Sequence, residues 1–393
     1  MPIDLPKDMP KDMPKGMQDE ACLVFRDKLL LPSEGFIKSH YIGFDRLSPV
    51  YLANKFGWRA GELTGAKRLT AHTSLGTTVF KQTGFSMAYK SLKALNPKVL
   101  HAHFGRGGAL ALPVAQRLNI PLYVTYHGGD ATKFTHERKR LLPTIYQRRL
   151  EALQAYANGF LCVSNFVAKR LEEQGFPKHK LITHYIGIDL ADMQPPTLRD
   201  GRLLFIGRLV GKKGINVLLT ALRMLHQSGE AGNIAGLDIA GTGPDSDDLR
   251  EMAIGIPNVS FLGWQTPEQL ALRMRSCSAV VVPSHQAPNG DCEGLPTVIL
   301  EAVRAGCPVI ATNHAGIPEI ITDDVSGILA DENDSESLAM ALKRFASVSD
   351  VLAMVAKAQR RLRAEFDATT QSAKLQAMLA SHYAPTKPPN LFE

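Results

Sequence analysis

The 393-residue sequence has no pair of cysteines at CxxC spacing. Its five cysteines, Cys22, Cys162, Cys277, Cys292 and Cys307, are odd in number and widely scattered, which fits neither a disulfide framework nor a zinc site. A reducing compartment is the simple reading. No apolar run approaches the ~18 residues needed to span a bilayer, which argues against an integral membrane protein. The first twenty residues lack the apolar stretch of a secretory signal. They repeat Pro-Lys-Asp-Met instead (Pro6–Met9, Pro10–Met13), a pattern too polar and proline-rich to fold. A disordered tail over residues 1–20 and cytoplasmic residence are expected. Neither a GxxxxGKS/T loop nor a GxGxxG after a strand-like run is present, which weighs against a P-loop NTPase and a dinucleotide dehydrogenase. The basic residues are not interleaved with an aromatic platform, so a nucleic-acid partner is not expected.

What remains is an ordinary globular composition, 45% hydrophobic and 21% charged, long enough for two domains. The formal net charge of +7 is unevenly placed. Residues 1–196 hold 27 basic and 16 acidic residues, net +11, and residues 197–393 hold 18 and 22, net −4. Such asymmetry points to an anionic partner for the first half: a phosphate-bearing substrate or a membrane surface.

In the second half, short Val/Ile/Leu runs alternate with segments of helical period. Strands are read at Arg202–Leu209, Leu237–Ala240, Val259–Leu262, Ala279–Pro283 and Pro308–Thr312. Helices are read at Gly214–Gln227, Asp245–Ala253, Pro267–Ser276 and Pro296–Ala305. Strands without polar alternation, separated by helices, predict a parallel sheet covered on both faces, a doubly wound Rossmann-like domain. The first half repeats this less regularly, with strands at Val99–His103, Leu122–Tyr126 and Phe160–Val163 and helices at Ala109–Leu118 and Asn165–Gln174. Pro195-Pro196 is the candidate linker. The expected fold class is therefore α/β, with two Rossmann-like domains facing a central cleft. The domains are residues 21–196 and 197–375, and residues 376–393 form a helix end and tail expected to pack back on the first domain.

In open α/β sheets ligands sit at the carboxyl ends of the strands, and two constellations fall there. Gly207-Arg208-Leu-Val-Gly-Lys212-Lys213-Gly214 follows a strand and opens a helix, which makes it an anion site: free N–H groups, helix dipole and cations all favour negative charge. Arg208 suits bidentate phosphate binding, and Lys213 a point charge. The second is Glu293-Gly294-Leu295-Pro296-Thr-Val-Ile-Leu-Glu301. Pro296 suits a first helical position, which leaves Glu293 in the loop and Glu301 about one and a half turns into the helix. The separation allows one carboxylate at each end of an extended ligand.

The second half resembles the retaining glycosyltransferases of family 4, which have the GT-B fold. The segments FIGRLVGKKG, IAGTGP (Ile239–Pro244), VSFLGW, NGDCEGLPTVILEA and GCPVIATNHAGIPEII occur in that family's order and spacing. In the first half HAHFG (His101–Gly105) and VTYHGGD (Val124–Asp130) match as well. The NGDCEGLP form and IGID (Ile186–Asp189) are most similar to bacterial exopolysaccharide and colanic-acid-type transferases. The resemblance implies catalytic roles for His127, Arg208, Lys213 and Glu293: Arg208 and Lys213 hold the donor diphosphate, Glu293 faces the transferred sugar, and His127 reaches it across the cleft. It implies that Gly207, Gly241, Gly243, Gly294, Leu295 and Glu301 line the nucleotide-sugar site, with Glu301 on the ribose hydroxyls. It also implies a UDP- or GDP-sugar donor, no required cofactor or metal, and same-face substitution. The acceptor would be a saccharide or a polyprenyl-diphosphate-linked saccharide, met by the basic first domain at the inner membrane face. A sugar-nucleotide epimerase and a non-catalytic sugar-nucleotide-binding protein are the alternatives. The glycine-rich loop expected after the first strand is replaced by Leu31–Ile37.

Weaker signals have bland readings. Asp245-Ser246-Asp247 is a literal DxD, explained by helix capping. His101 and His103 either line a pocket or pack, and Asp130 either orients His127 or caps a helix. The basic run His136–Arg140 with Arg148 and Arg149 is a solvated face or a contact for lipid headgroups. Glu319 is read as structural, and Trp58 and Trp264 as core.

Overall fold

The structure, a computed structural model, describes residues 20–29, 36–57, 67–69, 73–133, 143–197, 201–232 and 234–381. The repeats of residues 6–13, residues 31–35 of the replaced loop, the run 136–140 and Trp58 lie outside the described residues.

The first domain contains Glu20–Phe25 (β1), Lys28–Leu29 (β2), Leu47–Ala53 (β3), Lys55–Phe56 (β4), Lys67–Arg68 (β5), Pro97–His103 (β6), Leu122–Tyr126 (β7), Gly159–Cys162 (β8) and Leu181–Thr183 (β9). The second contains Leu203–Ile206 (β10), Leu237–Ala240 (β11), Val259–Gly263 (β12), Ala279–Val282 (β13), Val309–Thr312 (β14) and Ile328–Ala330 (β15). The first large sheet runs β5-β3-β1-β6-β7-β8-β9 and the second β12-β11-β10-β13-β14-β15; β2 and β4 form a separate ribbon. Neighbouring strands are parallel throughout.

These are two doubly wound α/β domains of GT-B type. The second sheet's order is that of a dinucleotide-binding fold, reversing between β10 and β13; the first reverses between β1 and β6. Ligand sites are expected at these switch points. The strands form because apolar side chains fill both faces: β7, β8, β13 and β14 are buried at every position, as a sheet covered by helices demands.

Helix ends follow local chemistry. Thr266 and Gln269 close a capping box around Pro267–Ser276, and Thr144 and Gln147 do the same for Ile145–Tyr156, each satisfying amides left free in the first turn. Two local readings change. Pro296 is the residue before the helix Thr297–Arg304, not its first residue. Asp245 stands at the cap of Ser246–Met252 but donates no capping oxygen; Ser246 Oγ bonds Gly243 instead. Trp264 is 55% exposed, so it is a surface residue and not part of the core.

The chain returns to the first domain at its end. Ile188 pairs with Asp367, and the helix Ala368–Ala380 seats Leu375 and Leu379 among Cys22, Val24 and Tyr123. Gln376 Oε1 accepts the backbone N–H groups of Asp45 and Arg46, each at 3.0 Å. The largest apolar cluster is continuous between domains, joining Val163 and Tyr126 to Leu295 and Ile317.

Candidate active site

The loop after β10 holds the first predicted constellation. Gly211–Lys213 is a single tight turn, and the helix Ile215–Gln227 begins directly after Gly214. Lys213 Nζ lies 3.1 Å and Lys212 Nζ 3.4 Å from Glu293 Oε1. Burial alone would raise the Glu293 pKa, but Lys213 and Lys212 outweigh it and hold the carboxyl at about 2. Lys212 also contacts Asp291 Oδ1 at 3.2 Å. Burial disfavours its charge, and the two carboxylates outweigh that and raise its pKa. Arg208 is exposed, and among the described residues its guanidinium has no ion pair. One cation at the strand end is thus open to a ligand, while the other two are neutralised by acidic side chains.

Glu301 lies in the second turn of Thr297–Arg304. Burial raises its pKa to about 7, and Arg304 offsets this only in part. Among the described residues none donates a hydrogen bond to its carboxylate, so its accepting capacity is unused. The remaining predicted binding residues cluster nearby. Gly207 donates its N–H to Ala240 at 3.0 Å, and Gly241 and Gly243 press against the backbones of Gly207 and Leu209. This leaves no room for side chains between the two strand-end loops. Leu295 is buried in the shared core.

The first domain meets this loop backbone to backbone. A Cβ on Gly294 would collide with the His127 carbonyl, and one on Gly128, whose φ is +126°, would collide with the Gly294 amide. Bulkier residues would hold the domains apart. Cys292 N donates to Thr132 Oγ1 at 3.1 Å, and Ser164 Oγ donates to the Gly294 carbonyl at 3.1 Å. Lys133 Nζ reaches Asp291 Oδ2 at 2.6 Å, so Asp291 joins a cation from each domain. Asp130 orders the His127 loop: Oδ1 accepts the N–H groups of His127 and Gly128, and Oδ2 that of Gly105. His127 Nε2 lies 3.1 Å from His103 Nδ1, and its ring sits between Phe36 and Phe104, with centroids 4.9 and 4.4 Å away. His101 and His103 are fully buried.

Three residues that matter here were not given binding roles by motif. His314 Nδ1 lies 2.6 Å from Glu332, while its Nε2 faces the Glu293 amide at 3.4 Å, which steadies the Glu293 loop. Glu319 spans the domain boundary: Oε2 accepts from Asn165 N at 2.8 Å, Asn165 Nδ2 at 3.0 Å and Tyr185 Oη at 3.0 Å, and Oε1 from Phe166 N at 3.0 Å. The third is Asp291, which lies inside the NGDC motif but has no partner legible in sequence. Among the described residues no three His, Cys, Asp or Glu side chains are grouped to hold a metal ion.

The sequence that carries this strand end, carboxylate pair and histidine loop matches two family models. Residues 72–192 match the model for Glycosyltransferase Family 4, and residues 194–362 that for Glycosyl transferases group 1. The chain belongs to the family 4, group 1 glycosyltransferases. It is 28% identical over 292 residues to the colanic acid biosynthesis glycosyltransferase WcaL of Escherichia coli, covering 72% of this chain and 70% of WcaL. It is 31% identical over 282 residues to the amylovoran biosynthesis glycosyltransferase AmsK of Erwinia amylovora, covering 67% and 65%. The match to these curated relatives therefore spans about two thirds of their length. Among solved structures, Anabaena HepE in complex with UDP superposes with a TM-score of 0.72 at 18% identity, covering 92% of this chain and all of HepE. HepE is also known with UDP-glucose, at a TM-score of 0.71 and 18% identity, covering 92% of this chain and 99% of HepE. This glycosyltransferase thus has the GT-B fold, and among its relatives are proteins named for exopolysaccharide synthesis.

Proposed function

We propose that this glycosyltransferase moves a hexose from a nucleoside diphosphate donor to a saccharide acceptor during cell-surface polysaccharide synthesis, with retention of anomeric configuration and without a metal. The observation that carries the donor reading is the β10 strand end, where Arg208 stands open beside Lys213 at a helix start. Negative charge grows on the leaving diphosphate as the glycosidic bond stretches, and preorganised cations there stabilise the transition state more than the ground state. Glu301 accepts the ribose hydroxyls; Gly207, Gly241 and Gly243 shape the wall beside the nucleotide, and Gly294 and Leu295 the wall beside the sugar. His127 reaches the sugar from the facing domain. A UDP-sugar is the donor we favour, because HepE is known with UDP and UDP-glucose; a GDP-sugar is the other candidate.

Glu293 is a poor nucleophile: two lysines hold its pKa at about 2, so its electron pairs are engaged. This favours same-face substitution over a glycosyl-enzyme intermediate. The acceptor oxygen bonds to the anomeric carbon as the diphosphate oxygen leaves from that face, and the acceptor's proton passes to the departing phosphate. Glu293 then serves to hold the lysines and to face the sugar.

The acceptor side is the first domain. From residue 63 to residue 129 there is no Asp or Glu, against eight Lys and Arg. Within this stretch Leu75, Val79, Phe85 and Met87 are exposed, as are Lys90 and Lys93. Leu75 and Val79 share a helix face. Exposed apolar side chains in a stretch rich in lysine and arginine suit an anionic bilayer, and so a polyprenyl-diphosphate-linked acceptor. Among the described residues no helix is long and apolar enough to cross a membrane, so contact would be peripheral, at the cytoplasmic face.

A thermal-shift panel of UDP, GDP, ADP and their sugar conjugates, with and without EDTA, tests the donor. A ligand bound only by the native state raises the melting temperature. A shift with one nucleotide that EDTA leaves unchanged supports the reading, and no shift with any of them overturns it. NMR of the product's anomeric centre then decides retention.

A further inference from the structure

Behind His127 runs an unbroken chain of buried polar side chains drawn from three parts of the first domain. Thr125 Oγ1 lies 2.6 Å from His101 Nε2. His101 Nδ1 lies 2.7 Å from Tyr41 Oη, which is 2.8 Å from His103 Nε2. His103 Nδ1 lies 3.1 Å from His127 Nε2, and His127 Nδ1 is buried without a partner. His101 and His103 alternate along β6 and so share one sheet face, Thr125 is on β7 opposite His103, and Tyr41 comes from the turn after the helix Phe36–Ser39. All four of Thr125, His101, Tyr41 and His103 are nearly or wholly excluded from solvent. Burial pushes the pKa of His101, His103 and His127 well below the usual histidine range, so each ring is neutral and carries a single N–H.

A neutral imidazole donates from one nitrogen and accepts at the other, and a phenol has one proton to give. The chain therefore has two self-consistent orderings. In one, Thr125 donates to His101, His101 to Tyr41, Tyr41 to His103, and His103 to His127 Nε2, which leaves His127 with its proton on Nδ1. In the other every bond reverses, and His127 Nδ1 presents a lone pair. The reversed order leaves the Thr125 hydroxyl proton buried with no acceptor among the described residues. A buried orphan donor is costlier and rarer than an under-used acceptor. The first order instead places its one orphan N–H at His127, in the loop that packs on Gly294, where the donor sugar is proposed to bind.

We propose that Tyr41, with His103 and His101, are positioning residues that fix His127 as a neutral hydrogen-bond donor at Nδ1, so that it binds an oxygen of the transferred sugar and cannot act as a general base. This rests on the placement of His127 at the donor sugar argued above. The exclusion follows from the chain itself: Nε2 is occupied by the His103 N–H, and Nδ1 has no free lone pair.

Long-range proton–nitrogen NMR of protein labelled with nitrogen-15 histidine reads the tautomer directly, with His127→Gln identifying the resonance. We expect a protonated Nδ1 and an unprotonated Nε2 for His127 at pH 7.5. Protonation on Nε2, or on both nitrogens, overturns the proposal. His103→Phe keeps a ring at this place but removes the partner of His127 Nε2, so that neither His127 nitrogen has a partner in the chain. The two His127 tautomers then become nearly equal, and we expect a mixture. An unchanged single tautomer in that variant overturns the role of the chain. In the same variant kcat should fall about tenfold while affinity for bare UDP stays as in wild type, a split that general misfolding would not produce. If the tautomers behave as expected but kcat does not change, the ordering stands and the placement of His127 on the sugar is what fails.

Discussion

Lys213 Nζ and Glu293 Oε1 are 3.1 Å apart, so the lysine assigned to the donor diphosphate and the carboxylate assigned to the sugar are ion-paired with each other in this structure. A diphosphate entering the site competes with Glu293 for that cation. Glu293→Gln should therefore lose stability yet keep its nucleotide. Removing one member of a buried pair costs roughly 3 kcal/mol, which for a domain of this size lowers Tm by several degrees. UDP should then raise Tm more in the variant than in wild type, because its phosphates replace the missing counter-charge, while transfer falls at least ~100-fold. The low pKa of Glu293 also predicts acid sensitivity. Its stabilising contribution is present above pH ~4.5 and lost as pH falls toward 2, so wild type should lose its stability advantage over the variant across that window. Calorimetric titration and a pH series of melts read both effects; loss of UDP binding in Glu293→Gln would contradict the competition.

Arg208 gives the opposite pattern. Its side chain is exposed and has no ion pair among the described residues, so Arg208→Ala should leave stability within ~0.5 kcal/mol. If it carries charge developing on the leaving group, transfer should fall about 100-fold or more. Steady-state kinetics beside a melting curve separates the two, and turnover near wild type would remove Arg208 from the diphosphate site.

How far these roles could be read without coordinates depended on distance along the chain. Leu122–Tyr126, Leu237–Ala240 and Pro267–Ser276 have the bounds expected from sequence, because a buried parallel strand is an unbroken apolar run and a capping box marks its own helix. Leu47–Ala53 carries Pro49 in mid-strand, a residue that normally speaks against one, and no strand is read there. Arg208, Lys213, Glu293 and Glu301 stood out as candidates because each lies inside a short motif of the sequence. The partners that define their state were not. Tyr41 meets His101 sixty residues away, Lys133 meets Asp291 across the cleft, and no periodicity encodes such pairings. Trp264 misleads for a related reason: an indole is a good core filler, yet here it caps a strand end in solvent.

Glu301 predicts a pH dependence. Its pKa is raised to about 7 by burial, so the protonated form is favoured in the folded protein. Stability from this shift is present below pH ~4.5 and is lost as pH rises through about 7. Binding should run the other way, since a carboxylate accepts ribose hydroxyls better than a carboxylic acid does. UDP affinity is expected to rise several-fold between pH 6 and pH 8. Glu301→Gln should bind more weakly at pH 8 and show a flat profile. Calorimetry at both pH values checks this, and a wild-type affinity that falls with pH would exclude Glu301 from the ribose.

The Glu319 carboxylate ties the domains together. It accepts four hydrogen bonds from residues of the first domain, two of them from the backbone amides that open the helix Asn165–Glu173. Helix N-termini favour negative charge, and hydrogen bonds to a charged acceptor exceed neutral ones in strength. All four break if the cleft opens. Glu319→Ala, at a net cost of about 2 kcal/mol to the closed arrangement, should populate an open form even though Arg208, Lys213 and Glu301 are untouched. Small-angle scattering of the ligand-free variant should show a larger radius of gyration than wild type, and the donor KM should rise roughly tenfold with a smaller change in kcat, because donor binding must then restore closure. An unchanged radius and KM would mean that the Gly128–Gly294 packing alone holds the cleft shut.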